Sequence, residues 1–344
     1  MMASCMRAIK LSEKEDKKTF LMRNGGNLLE KLISSFNGER NPIRSFSAED
    51  IKTATSNYDL RKVTAKGLVY KLYSGFLHGR SVSVMKFQNN GTFDAYEWCL
   101  KNIAFASQMR HRNFLKLIGC CLETQVPILV FESVSYETLA NFIHGPRPSD
   151  FEPFLLIQRL KIAMEIANAL TYLHVGFPRP IVFKNIKLSS ILFAEDYVVK
   201  LFDFSLAESI PEGETHIEDA VPIGIMGFVA PEYVATGDYN EKCDVFSFGV
   251  LLLVLLTGKK MYFVDETGDH YLLMQQVKKH IESNTFDEMV DPVIFSDAHR
   301  QSSEKEQQLK AFIKLALKCV CESAEGRPTM IDVAKQLRQI HGSG

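Results

Sequence analysis

Nine histidines and seven cysteines are the side chains of this 344-residue chain that most often serve metal or nucleophilic chemistry. His111 and His174 sit in no metal-ligand spacing and read as loop anchors. The seven cysteines form no CxxC pair, which fits reduced thiols better than a disulfide or zinc framework. Cys120-Cys121 and Cys319/Cys321 are expected to be buried thiols in core elements, and the charge-rich run 302–310 a solvated helix face.

The elements that must position these groups follow from pattern. Hydrophobic content of 46%, charge of 24% and a net charge of −1 describe a globular chain with no call for nucleic acid or an acidic surface. The longest apolar run, residues 245–256, is interrupted by Ser247 and Gly249 and is shorter than the ~20 residues a span needs, so no transmembrane segment is expected. No signal segment opens the chain, and the start Met-Met-Ala lacks the glycine of an N-myristoylation site; Cys5 alone is a weak acylation signal. Ser12 with Glu13, Glu15 and Asp16 starts a helical pattern that Gly25-Gly26 is expected to interrupt. The stripe Leu28, Leu29, Leu32, Ile33 and Phe36 is expected to dock on its own domain. After a Gly/Pro/Arg stretch (38–44), Ser47-Ala-Glu-Asp50 is a helix start. Short strand-like patterns fill 63–88 and 128–131; beyond a Pro-rich stretch (145–153) come long helical patterns at 156–174, 244–257, 305–321 and 330–341. The plan is α+β and two-lobed: an N-terminal helical extension (1–45), a small β-rich N-lobe (46–132) and a larger helical C-lobe (133–344).

Order and spacing of short motifs narrow this plan. Asp203-Phe-Ser205 is followed by Ala230-Pro-Glu232, Asp244-Val-Phe-Ser-Phe-Gly249 and Gly326-Arg-Pro328, with Ile181-Val-Phe-Lys-Asn-Ile-Lys-Leu-Ser-Ser-Ile-Leu192 upstream. Over roughly residues 60–341 the series resembles the protein-kinase signature set. Phe46-Ser-Ala-Glu-Asp-Ile-Lys-Thr-Ala-Thr-Ser-Asn57, His111-Arg-Asn113, Leu117-Ile-Gly-Cys-Cys121 and Tyr172-Leu-His174 make it similar to plant receptor-like cytoplasmic kinases. The resemblance implies a bilobal protein-kinase-like fold.

Set against that resemblance, the chemistry is altered at five or more places, while Asp203 keeps the magnesium carboxylate and Lys187 also survives. The glycine-rich phosphate loop reads Ala65-Lys-Gly67-Leu-Val-Tyr70, with one glycine kept and a ring where backbone should approach phosphate. Counting from Gly79 puts Met85 in the place of the phosphate-neutralising strand lysine, and counting from Leu72 puts Lys86 there; a period-2 strand lets only one face the cleft, and the first count is favoured. The glutamate that pairs with that lysine falls at Asn102. The catalytic-loop histidine, arginine and aspartate become Phe183-Lys184-Asn185, and the metal-binding asparagine becomes Ser190. An amide cannot act as the base that accepts a hydroxyl proton. Gly67, Lys86 and Asp203 are left as residual nucleotide contacts, so no cofactor is expected beyond weak ATP binding.

What the resemblance leaves intact is architectural: Glu232 with Arg327 as a buried pair, and Asp244 as anchor of the catalytic-loop backbone. In the activation segment, the stretch 215–228 carries one hydroxyl, Thr215, and then Val221, Ile223, Ile225 and Met226, with Ile225 where a kinase has a threonine. The pattern is similar to a small group of plant receptor-like cytoplasmic pseudokinases. In that group the pseudokinase is held by a coiled-coil, leucine-rich-repeat (NLR) immune receptor and recruits a related receptor-like cytoplasmic kinase modified by a bacterial effector. The resemblance implies a cytoplasmic adaptor, peripheral at the plasma membrane through its complex, with Val221, Ile223 and Ile225 meeting the modified kinase. The alternatives are an ATP-binding switch and a residually active Ser/Thr kinase.

Overall fold

Alternation in Val82-Ser-Val-Met-Lys-Phe87 builds a strand whose two faces have different fates, and the first half of the chain is organised around it. In chain order the elements are α1 (Met2–Phe36), β1 (Arg44–Ser45), α2 (Ala48–Ala54), β2 (Val63–Lys66), β3 (Tyr70–Leu77), β4 (Arg80–Phe87) and α3 (Ala95–Gln108). Then come β5 (Leu117–Cys121), β6 (Ile128–Glu132), α4 (Leu139–His144), α5 (Leu156–Val175), β7 (Ile181–Val182), β8 (Ile191–Phe193) and β9 (Val199–Leu201). The rest are β10 (Glu208–Ser209), β11 (Ile217–Glu218), α6 (Pro231–Thr236), β12 (Asp238–Tyr239), α7 (Glu241–Thr257), β13 (Tyr262–Val264), β14 (His270–Leu272), α8 (Leu273–Glu282), α9 (Ser303–Cys319) and α10 (Met330–Gly342). The computed structural model describes residues 2–36, 43–88, 91–145, 154–219, 221–264, 270–295 and 303–342; most of the two Gly/Pro-rich stretches and the Cys5 side chain lie outside the described residues. No helix among the described residues is long and apolar enough to cross a membrane.

Two units result, Met1–Thr138 with Leu192–Leu206, and Leu139–Ile191 with Ala207–Gly344. In the first, a sheet of order β1-β5-β6-β4-β3-β2 forms the body. β3 and β4 are joined by His78 and Gly79, both at positive φ (47° and 78°), the two-residue turn whose twist suits a hairpin. One sheet face carries Tyr73, Val82, Val84, Ile128 and Val130 against α2, which Ser47 and Asp50 cap reciprocally. Residues 192–206, which the sequence reading gave to the C-lobe, belong to this unit. There Leu201 exchanges backbone hydrogen bonds with Asn113 and Leu115 (2.7 and 2.9 Å), and Lys200 pairs with Glu132.

The expected break at Gly25-Gly26 is absent: α1 runs through both glycines. Two glycines cost a helix roughly 2 kcal/mol relative to alanine, and tertiary contacts offset that. Asn24 is buried and donates to Leu122 O and Thr124 O (2.8 and 2.9 Å), while Leu28 and Leu32 are buried and Phe36 meets Phe105 edge-on. The stripe docks on its own unit, though Leu29 and Ile33 remain exposed.

In the second unit α7 is buried along nearly its whole length. Gly249, which interrupts the apolar run, explains how: a Cβ there would stand 2.6 Å from Cys319 Cβ, so its absence lets α9 lie close against α7. The four long helical patterns appear as α5, α7, α9 and α10 within a few residues of their expected bounds.

Candidate functional site

In the first unit, β4 settles which residue takes which face. Met85 pairs with Leu72 and Leu129 and is fully buried on the face opposite α2. Lys86 points the other way, its Nζ 3.6 Å over the Tyr58 ring. Burial first, then the nearby Lys52 and Lys71, hold its pKa below the ordinary lysine value. Lys86 therefore stands on the α2 face among other cations, on the side of the strand opposite Met85.

Gly67 follows the end of β2, and a ring fills the space beside it. A Cβ on Gly67 would stand 2.1 Å from the Tyr70 ring, so glycine is required here to accommodate tyrosine. That ring is buried and packs on Phe87 and Phe202. Burial first, and then the Asp203 carboxylate, push the Tyr70 phenol well above its usual pKa, yet its hydroxyl makes no hydrogen bond of good geometry among the described residues.

Asn102, fully buried on α3, accepts a hydrogen bond from Phe204 N–H (2.7 Å) and donates to Ser205 Oγ (2.8 Å). Ser205 Oγ in turn donates to Asp203 Oδ1 at 2.5 Å, with Asp203 in the left-handed region (φ 71°). The Asn102 amide, one acceptor and one donor, ties down residues 203–205, and one oxygen of Asp203 is engaged within its own turn.

In the second unit, Asp244 is fully buried and accepts from Phe183 N–H and Lys184 N–H (2.8 Å each), with His174 Nε2 3.0 Å away. Phe183 is likewise buried, filling apolarly the place of a histidine. Asn185 is buried, and Ser190 Oγ donates into the same loop, at 2.7 Å from Asn185 O and 2.9 Å from Lys187 O. Ser190 thus holds the turn with its own hydroxyl. Among the described residues no group of three His, Cys, Asp or Glu could hold a metal ion.

Arg327, its side chain without exposure, forms a two-pronged pair with Glu232 (2.6 and 2.7 Å) and spends its other donors on Cys321 O, Glu322 O and Lys242 O. Burial raises the Glu232 pKa, and the Arg327 hydrogen bonds, a backbone hydrogen bond, the Arg327 charge and Cys243 together more than reverse this, leaving it below the ordinary value.

A protein kinase domain model matches residues 66–339. The chain belongs to the protein kinase family. It is 40% identical over 331 residues to a protein of Arabidopsis thaliana named non-functional pseudokinase ZED1, covering 94% of this chain and 97% of that one. It is 38% identical over 331 residues to non-functional pseudokinase ZRK2 of the same plant, covering 95% and 90%. It is also 37% identical over 336 residues to serine/threonine-protein kinase ZRK1 of that plant, covering 96% and 95%. Among kinases this chain is thus similar both to plant proteins named non-functional pseudokinases and to plant proteins named kinases.

The kinase activation segment of this chain is the remaining candidate surface. Val221 is 69% exposed, Met226 67% and Ile225 39%, while Ile223 is half-buried and donates its N–H to Tyr233 Oη. Beside them opens a largely apolar cavity of about 860 Å³, lined by Met226, Val229, Val234, Phe246, Met261 and Met274 among others. Sequence reading found the exposed residues. It missed the cavity, which draws on four separate elements.

Proposed function

We propose that this protein is a catalytically silent member of the kinase family that works as an adaptor in plant immune signalling. It bridges a coiled-coil NLR receptor and an effector-modified receptor-like cytoplasmic kinase. One observation supports the reading: the groups that hold a kinase together are hydrogen-bonded and buried, while most of the places that the resemblance gives to chemical groups carry other residues. Glu232–Arg327 and Asp244 are bonded, whereas Tyr70, Met85, Asn102, Asn185 and Ser190 occupy the places of catalytic parts. A scaffold retained without its chemistry is suited to presenting surface. The exposed Val221, Ile225 and Met226 beside an apolar cavity are of the kind that anchors a partner.

Replacing Val221, Ile223 and Ile225 together by aspartate tests the assignment. Pull-down of the modified kinase should be lost, with receptor binding and melting temperature unchanged. Retention of both partners by a stably folded triple variant would remove the activation segment from this role. The name carried by ZRK1 favours residual phosphotransfer as a second reading. Label transfer from γ-labelled ATP, abolished by Asp203→Ala, would establish it.

A further inference from the structure

The side chain of Lys184 is 6% exposed, and a buried ammonium costs several kcal/mol unless it is paired. Its counter-ion is Asp219, Nζ to Oδ2 2.5 Å, on the activation segment. Two rings flank the cation, Tyr239 at 3.5 Å and Tyr233 at 4.8 Å from their centroids. Lys184 itself cannot drift. Its backbone lies in the left-handed region (φ 57°) with its N–H bonded to the buried Asp244.

From this fixed cation the segment is tied at successive points. Asp219 N–H donates to Gly237 O (3.0 Å), and Ile217 and Glu218 pair with Tyr239 and Asp238 across β11 and β12. Tyr233 Oη donates to Asp219 Oδ2 (2.5 Å) and accepts from Ile223 N–H (2.9 Å), carrying the restraint four residues further. The turn between Ile225 and Phe228 then closes on its own backbone, Phe228 N–H to Ile225 O at 2.9 Å. Thr215, the hydroxyl residue of the stretch 215–228, is exposed and bonded to its neighbour His216, and the bonds that tie the segment down use none of its atoms.

We propose that Lys184, Asp219 and Tyr233 are positioning residues that hold residues 217–219 and 221–228 ordered in the unmodified protein, without phosphorylation. A carboxylate built into the segment performs the charge-pairing that an added phosphate would otherwise supply. The exposed Val221, Ile225 and Met226 are then presented in a preset arrangement, which lowers the ordering cost of binding. The inference stands apart from the adaptor reading, because it concerns the free protein and is tested without any partner.

Amide hydrogen exchange on the phosphatase-treated full chain is the measurement. Asp219→Asn and Lys184→Met should each speed exchange across 217–223 by about tenfold or more, as expected for losing a bond to a charged group. Amides of α7 should be unchanged. The double variant should be no looser than the looser single one, since both remove one interaction. Tyr233→Phe deletes only the bridging hydroxyl and should loosen Ile223 while leaving Ile217 and Glu218 protected, so the test survives if Lys184→Met fails to fold. Exchange within twofold of wild type in both Asp219→Asn and Tyr233→Phe would overturn the proposal. So would phosphatase treatment that by itself loosens the wild-type segment.

Discussion

If Asn185 stands in the place of a catalytic aspartate, as proposed, it is one of several replaced groups, and this decides what repairing it can do. Asn185→Asp would then supply a base, but the buried Met85 and Tyr70 would remain in the places proposed for the groups that neutralise and cradle phosphate. Label transfer from γ-labelled ATP should therefore stay at the blank in this variant. Tyr70 is the more informative residue. Removing its buried ring should cost about 3–5 kcal/mol, the range for truncating a large aromatic, read as lower denaturant resistance. Glu232 gives a pH signature. Its pKa is lowered in the folded state. The stability it adds is fully present above the ordinary glutamate pKa of about 4.3 and is lost as pH falls through the lower folded value. Glu232→Gln should flatten acid unfolding in that window while destabilising the protein at neutral pH, because Arg327 is left buried without its charge partner.

At the scale of elements, α1 shows docking overriding local preference. Its glycines are helical, and an ideal Cβ at Gly25 or Gly26 meets nothing within 4 Å. Gly25→Ala and Gly26→Ala should therefore stabilise the helix by about 1 kcal/mol each, seen as slower amide exchange in its second half. Asn24→Ala should do the reverse, exposing two carbonyl groups that now accept its amide. On β4 the same contest has the opposite outcome. Alternation was obeyed strictly, and so Lys86, the one lysine near the expected position, was turned onto the α2 face.

For the molecule as a whole, the division between retained architecture and replaced chemistry predicts a ligand response. Thermal-shift titration with ATP should give little change in melting temperature, and magnesium should not alter that. A magnesium-dependent rise that survived Lys86→Ala and was lost in Asp203→Ala would point instead to a nucleotide-gated switch. Stabilisation by a ligand grows with its concentration over its dissociation constant, so a tight site could not stay hidden at millimolar ATP.

Sequence alone determined the family plan, because motifs such as Asp203-Phe-Ser205, Ala230-Pro-Glu232 and Gly326-Arg-Pro328 are short, ordered and carried by residues whose roles are local or strongly typed. It also marked Asn102 and Asn185, where the resemblance expects a carboxylate, and Ser190, where it expects an asparagine. What those residues do instead was decided by tertiary structure. Asn102 and Ser205 are 103 residues apart, and nothing in either neighbourhood announces that one amide would clasp the other's turn. Lys184 and Asp219 lie 35 residues apart, and their pairing depends on β11 meeting β12 and on Asp244 fixing the lysine's backbone. The choice between Met85 and Lys86 also waited on the sheet: period-2 alternation says that neighbours face opposite ways, but only packing against α2 says which way is which.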